Sequence, residues 1–226
     1  MKAVIFDVTG TIAHFRRPDT TATQLTYPFI TTTAAKGLVG AILGITDFVT
    51  QDRIGIQLLR PVRTSSQQIS MLGKDGGASF NRPTTMELLI NPGYRLYYVG
   101  REYVDALADK LRLGQAVYHT YLGVAFALTS PKFIGYEEVK TIPIQEEITT
   151  QTVVPTEIIK DLVIEDNRHY SRAGGFLHTY LGNRTFEKSV SFIYESKGRP
   201  ITFRPKKMET IQDCVVSVGG EAICLV

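Results

Sequence analysis

An α+β fold in the ferredoxin-like order β-α-β-β-α-β is what this chain predicts, and three observations predict it. A short apolar strand opens the chain at Lys2–Val8. Two helices follow, one of small residues and one amphipathic. Between and after them lie extended runs rich in β-branched and aromatic residues. A period of two marks the strands and a period near 3.6 marks the helices, and this order of elements is a known split βαβ layout. It is also the layout of an RNA-recognition module with an exposed sheet, although the aromatic pattern of such strands is absent.

Each element has its own warrant. The first strand alternates Val4, Phe6 and Val8 against Ala3, Ile5 and Asp7, as a half-buried strand does. A basic, threonine-rich loop follows, from His14-Phe15-Arg16-Arg17-Pro18-Asp19 to Tyr27-Pro28-Phe29. Cations meet phosphates and flat rings meet unstacked bases, so this loop suits single-stranded nucleic acid. Thr33 is the expected N-cap of a helix from Ala34 to Ile45. Its Gly37, Gly40 and Gly44 leave one face open to close approach. Ile54–Val62 and Thr64–Leu72 read as extended, Gly73–Ser79 as a flexible tip, and Thr84–Ile90 as the return. Asn91-Pro92-Gly93 is a turn, with another strand at Tyr94–Val99. In the second helix, Arg101–Arg112, a stripe of Val104, Leu107, Ala108 and Leu111 opposes Asp105, Asp109 and Arg112, and Gly114 ends it. Strands are expected at Ala116–Leu128 and Phe133–Ile144. The remainder reads as strand-rich: Val153–Ile164, Ser189–Ser196, Ile201–Arg204, and a Cys214–Val218/Ala222–Val226 pair turning at Gly219-Gly220.

The totals exclude several classes. With 226 residues the chain can build one large or two small domains. Its net charge is only +3 but unevenly spread: 13 Lys/Arg face 9 Asp/Glu over residues 1–113, against 12 and 13 afterwards. A local basic patch is what a single-site nucleic-acid binder needs. No apolar run nears the roughly 20 residues of a membrane span, and the opening strand is no secretory leader. A cytoplasmic protein with no membrane partner is therefore expected, its Cys214 and Cys224 as thiols. His14, His119, His169 and His178 lack metal-ligand spacing with the cysteines, so no metal is expected. P-loop, dinucleotide and nucleophile-elbow motifs are missing, so no cofactor is expected and nothing demands catalysis. The run His119-Thr120-Tyr121-Leu122-Gly123 recurs as His178–Gly182 without flanking matches, which reads as local convergence.

Three stretches carry a resemblance. His14-Phe15-Arg16-Arg17, Leu25-Thr26-Tyr27-Pro28-Phe29 and Thr32-Thr33-Ala34-Ala35-Lys36-Gly37 through Ile45 resemble the N-terminal signature of the fifth CRISPR-associated family (Cas five). Asn81–Leu96 and Tyr121-Leu122-Gly123 are similar to its later landmarks, and the type I-B branch fits best. The match covers about the first 130 residues. It implies a ferredoxin-like domain of the RAMP superfamily over 1–130, a β-hairpin thumb at about 67–98, and a β-rich C-terminal subdomain over 131–226. It also implies a subunit of a Cascade interference complex that holds the 5′ handle of CRISPR RNA. The implied partners are that RNA, the backbone subunits it caps, the large subunit, and target DNA indirectly through the complex.

Under this resemblance Arg16, Arg17 and Lys36 contact handle phosphates, while Phe15 and Tyr27 stack on or shape bases beside His14. Arg60, Arg63, Lys74 and Arg82 supply further cations, and Tyr118 and His119 join the RNA surface. In the type I-C branch a tyrosine late in the first helix and a Lys-His pair opening the second cut precursor RNA. Those positions here are Leu43, Arg101 and Glu102. Leucine has no proton to exchange, arginine stays protonated, and glutamate repels phosphate. Binding without cleavage is therefore expected. The alternatives are a processing endoribonuclease rebuilt around Tyr118 and His119, and a purely structural assembly subunit.

Overall fold

Strand β1 (Lys2–Thr9) lies between two later strands, β6 (Gly93–Gly100) and β7 (Lys132–Thr141), and β3 (Arg53–Leu58) pairs with the far side of β6. All three pairings are antiparallel, and the order β7-β1-β6-β3 is that of a ferredoxin-like sheet. The structure is a computed structural model; it describes residues 1–20, 22–75, 77–143, 145–206, 211 and 214–226. Gly76 of the expected tip and Ile144 of an expected strand end lie outside the described residues.

Helices α1 (Thr32–Leu43) and α2 (Val104–Arg112) cover one face of this sheet. Val4, Phe6 and Val8 meet Leu96, Tyr98, Ile54 and Ile56 beneath Leu38, Val39, Ile42, Leu107 and Leu111 in one core. Helix α1 starts earlier than the spacing predicts, because Thr31 rather than Thr33 caps it by accepting from Ala34 N at 3.1 Å. It ends at Gly44, whose φ of 79° only glycine adopts cheaply.

Past β7 the sheet continues through β14 (Val215–Val218), β15 (Glu221–Cys224), β8 (Ile148–Thr150), β13 (Ile201–Pro205) and β10 (Ile159–Val163). It curls back on itself. Val226 exchanges two backbone hydrogen bonds with Ile54, at 2.9 and 3.1 Å, and Val153 N donates to Ile56 O at 2.8 Å. The curl places Val216, Val218, Ile223 and Leu225 over Ala3, Tyr97 and Val99. This corrects the expectation of an exposed, RNA-recognition-like sheet: both faces are covered, so bases cannot lie on it.

Two hairpins stand outside the main sheet. The first joins β4 (Thr64–Asp75) and β5 (Ala78–Ile90), with β2 (Ile12–Ala13) added at its base. Its pairing persists to Lys74 opposite Ser79, where the glycine-rich sequence predicts a loose tip. Tyr94–Tyr98, expected inside the thumb, belongs to β6 of the central sheet. The second is a ribbon of β11 (Tyr170–Gly182) and β12 (Thr185–Glu195), extended by β9 (Val154–Pro155).

The segment 116–128 is not the strand its apolar content predicts but a series of turns held by single bonds, such as Leu122 N to Ala127 O. The strand that closes the ferredoxin-like sheet is β7, beyond the expected boundary at 130. Helix α2 begins at Val104 and not at Arg101, for a specific reason. The buried Asp52 carboxylate accepts from Arg101 N (2.8 Å), Glu102 N (3.2 Å) and Tyr103 N (3.0 Å), fixing these residues as a cap. A Cβ on Gly100 would stand 1.7 Å from Asp52 Oδ1. Gly100→Ala is therefore expected to expel the carboxylate and orphan the cap, lowering stability by at least about 2 kcal/mol. A fall in the urea midpoint at constant slope checks this.

Candidate nucleic-acid interface

The basic loop is built as a small folded-back arm. Arg16 pairs with Thr26, Arg17 N donates to Leu25 O at 2.9 Å, and Tyr27 N donates to Phe15 O at 2.7 Å. The arm is stitched to β5: Gln24 N donates to Thr85 O, Glu87 N donates to Gln24 O, and Thr26 N donates to Glu87 Oε2. His14 Nδ1 donates to Glu87 O at 2.8 Å. The loop and the thumb base are thus one body.

This stitching corrects three expected contacts. His14, Phe15 and Tyr27 are 2%, 3% and 6% exposed. Phe15 meets the edge of Tyr94, with centroids 6.2 Å apart, and Tyr27 lies 4.3 Å from Phe176 while its hydroxyl donates to Gly175 O at 2.5 Å. Their faces are spent on core packing, because burying a ring among rings outweighs leaving it in water for a base. Stacking by Phe15 or Tyr27 is not available in this conformation.

Arg16 is exposed, and Arg17 is half-buried with its guanidinium on Asp19, Nε to Oδ1 at 3.1 Å and NH2 to Oδ2 at 2.6 Å. Arg17 faces a cleft of about 380 Å³ between the thumb base (Thr64, Glu87) and the ribbon. Arg172 enters the same cleft from β11, beside Gly174. A second, smaller hollow carries Arg60 and Arg63 and shares Pro28 and Val62 with the cleft. Arg60 lies flat over Gly93, where a Cβ would come within 3.1 Å of its Cδ. Arg17 and Arg172 therefore share the cleft between arm, thumb base and ribbon, and Arg60 and Arg63 line the adjoining hollow, an arrangement that can hold a chain of phosphates. Sequence reading missed Arg172. Its one signal is an arginine just ahead of Gly174-Gly175, where backbone can be approached closely.

The other expected residues are elsewhere. Lys74 and Arg82 are exposed on the outer thumb, flanking Phe80, whose ring lies across Gly73. Tyr118 and His119 are exposed in a separate cleft whose remaining lining among the described residues, including Thr120 and Ser130, carries no carboxylate or cation. Lys36 lines a third cavity, between α1 and the ribbon. Leu43 closes α1, while Arg101 and Glu102 are held by the Asp52 cap, with Glu102 Oε1 accepting from Gln51 N at 3.0 Å. Among the described residues no three of His, Cys, Asp and Glu cluster as metal ligands, and no helix is long and apolar enough to cross a membrane.

Two histidines resist protonation. Burial lowers His14 below its usual 6.5. Burial, then the charges of Lys36 and Lys188, lower His178 to about 4. The unfolded chain binds these protons near pH 6.5 and the folded chain does not, so stability is complete above that value and falls with pH towards 4. His178→Gln should lose less thermal stability between pH 7 and pH 5 than the wild type. Equal losses in the two melting curves would mean that His178 does not set this pH dependence.

Residues 3–75 match the model of a family described as CRISPR-associated protein (Cas_Cas5). Among curated proteins no sequence relative matches. Solved structures are similar over nearly the whole chain. A chain of a CRISPR RNA-guided surveillance complex shares 13% identity at a TM-score of 0.55, covering 90% of this chain and 91% of that one. A CRISPR protein from Archaeoglobus fulgidus shares 11% at 0.57, covering 99% and 98%. A chain of the type III-B Cmr-beta complex, bound to cognate target RNA and AMPPnP, shares 11% at 0.53, covering 89% and 86%. At these identities the likeness is one of fold, and the fold is α+β with a ferredoxin-like sheet.

Proposed function

We propose that this chain is a member of the CRISPR-associated Cas5 family, whose model its residues 3–75 match, and that it serves a type I effector complex by holding the 5′ handle of CRISPR RNA without cutting it. The observation that carries the reading is the gathering of Arg17 and Arg172 on one cleft, with Arg60 and Arg63 beside it. Single-stranded RNA runs between the thumb base and the ribbon, its phosphates on the guanidiniums. Arg16 and the thumb cations Lys74 and Arg82 extend the positive field along the strand's path. The chain caps the complex's backbone filament next to the large subunit.

The absence of cleavage rests on chemistry. Metal-free cutting needs a base near the 2′-hydroxyl and an acid for the leaving oxygen. Leu43 has neither, Arg101 remains charged, and Glu102 is engaged with Gln51 N. Among the described residues His119 and Tyr118 have no orienting carboxylate in their cleft. Incubation of the purified protein with cognate precursor CRISPR RNA in EDTA tests this. The RNA should stay full-length on a denaturing gel and be retarded on a native one. A discrete cut beside the repeat hairpin would make the protein a processing nuclease, with His119 the first residue to replace.

A further inference from the structure

The recurring motif leads to the cavity that the proposed function leaves unused. His178, Thr179 and Tyr180 form one wall of a cavity of about 270 Å³, facing Lys36 on α1 and the loop residues Asp47 and Phe48, with Phe186 across the ribbon. Ligand cavities start at about 300 Å³, so this one suits a single small unit and not an extended chain.

Its chemistry is specific. Lys36 is half-buried, and its side chain has no hydrogen-bond or ion-pair partner among the described residues. Burial lowers its pKa, the charge of Arg53 adding to the fall and the longer-range charges of Asp52 and Glu102 opposing it. The His178 ring beside it likewise has no partner among the described residues. Tyr180 and Phe186 form a ring pair with centroids 5.2 Å apart, and Phe48 adds a third aromatic surface. The Tyr180 hydroxyl donates to Asp47 Oδ1, fixing a carboxylate at the rim that can accept from a sugar hydroxyl or a ring amino group. Thr32 and Thr33 also line it, with the Thr32 hydroxyl donating to Leu177 O and the Thr33 hydroxyl paired with that of Thr31. Thr179 has a φ of 56°, a left-handed conformation that a β-branched residue adopts only when its surroundings impose it. It lies between His178, which pairs with Lys188, and Tyr180, which pairs with Phe186.

We propose that this cavity binds one nucleoside 5′-monophosphate unit, with its base on the aromatic wall and its phosphate on Lys36. A planar group is needed to match the rings, an anion to match the unpartnered lysine, and donors to match Asp47. A mononucleotide supplies all three. The unit comes either as a free nucleotide or as one residue of a bound RNA; only the second source rests on the RNA-binding reading above.

Calorimetric titration of the full chain with AMP, GMP, CMP and UMP tests it, with ribose 5-phosphate as the control that lacks a base. At least one nucleotide should saturate the protein, and ribose 5-phosphate should bind about tenfold more weakly or less, since stacking is lost. Lys36→Met and Phe186→Ala should each weaken binding about tenfold with an unchanged circular dichroism spectrum, while Arg17→Ala/Arg172→Ala should leave it intact. Competition by handle RNA would assign the site to an RNA residue; coexistence with RNA would assign it to a free nucleotide. Failure of all four nucleotides to saturate at millimolar concentration overturns the proposal, as does binding that survives both cavity substitutions. Retention of RNA without any mononucleotide binding sinks this site and leaves the proposed function standing. Mononucleotide binding without RNA retention does the reverse.

Discussion

Replacing Phe176 with alanine is expected to destabilise the protein by about 3–5 kcal/mol, the cost of removing a fully enclosed ring. Phe176 is completely buried at the joint between the ribbon and the rest of the molecule. It stacks on Phe29 at 5.0 Å and 19°, lies 4.3 Å from Tyr27, and meets Phe192 edge-on at 5.0 Å. Phe29 and Tyr27 come from the arm that leads into α1, while Phe192 comes from β12. Each ring pair adds about 0.5–1.5 kcal/mol beyond area burial. Against a typical total stability of about 5–15 kcal/mol, the loss is large. It also loosens the wall that presents Arg172, so RNA retention should fall even at temperatures where most molecules remain folded. Phe80→Ala is the control: its ring is 47% exposed on the thumb, and its loss should change stability by less than about 0.5 kcal/mol. Urea denaturation of both variants decides the matter. A change of under about 1 kcal/mol for Phe176→Ala would mean that the ribbon is not docked as described.

Loss of Arg17 and Arg172 together should have the largest effect on function. Each phosphate neutralised on single-stranded RNA contributes about 0.7 to the slope of log K against log salt. Two lost contacts remove about 1.4 from that slope, which is roughly 25-fold in affinity at 0.1 M salt relative to 1 M. The Arg17–Asp19 pair is exposed, with side chains 41% and 59% accessible, so phosphate can displace or share it at small cost. Substitution of Arg16 alone should matter less, because it does not face the cleft.

Much of the fold was legible in the residues. The alternation of Val4, Phe6 and Val8, the small-residue helix and the stripe on α2 placed three elements of the ferredoxin-like order. What local pattern could not supply was tertiary. Asp52 sets where α2 begins from a distant segment, so the apparent start at Arg101 was displaced by a cap with no local signature. The uncharged run from 116 to 128 has strand-forming residues, yet its backbone is spent on α1's end: Val117 N donates to Ile42 O and Tyr118 N to Ala41 O. Strand β11 escaped notice because bulges between Ala173 and Phe176, and again near Tyr180, break its two-residue period.

The candidate site was legible in its charge and illegible in its rings. A run of His-Phe-Arg-Arg looks like a nucleic-acid loop, and Arg16 and Arg17 do reach solvent. Whether Phe15 faces water or the core depends on Tyr94, and whether Tyr27 does so depends on Phe176, 149 positions later in a strand that sequence reading missed. Arg172 shares that history. Convergence of a loop, a thumb base and a ribbon on one cleft is a property of long-range pairing, which composition and spacing do not carry.

Single-stranded handle RNA in the cleft between thumb and ribbon, held by its arginines, is the proposed binding mode. Filter binding of a handle RNA across a range of potassium chloride concentrations tests it most directly, comparing wild type with Arg17→Ala/Arg172→Ala. The double variant should bind more weakly and with a slope shallower by about 1.4. An unchanged slope, in variants whose melting temperatures match the wild type, would place the RNA elsewhere on the molecule and contradict it.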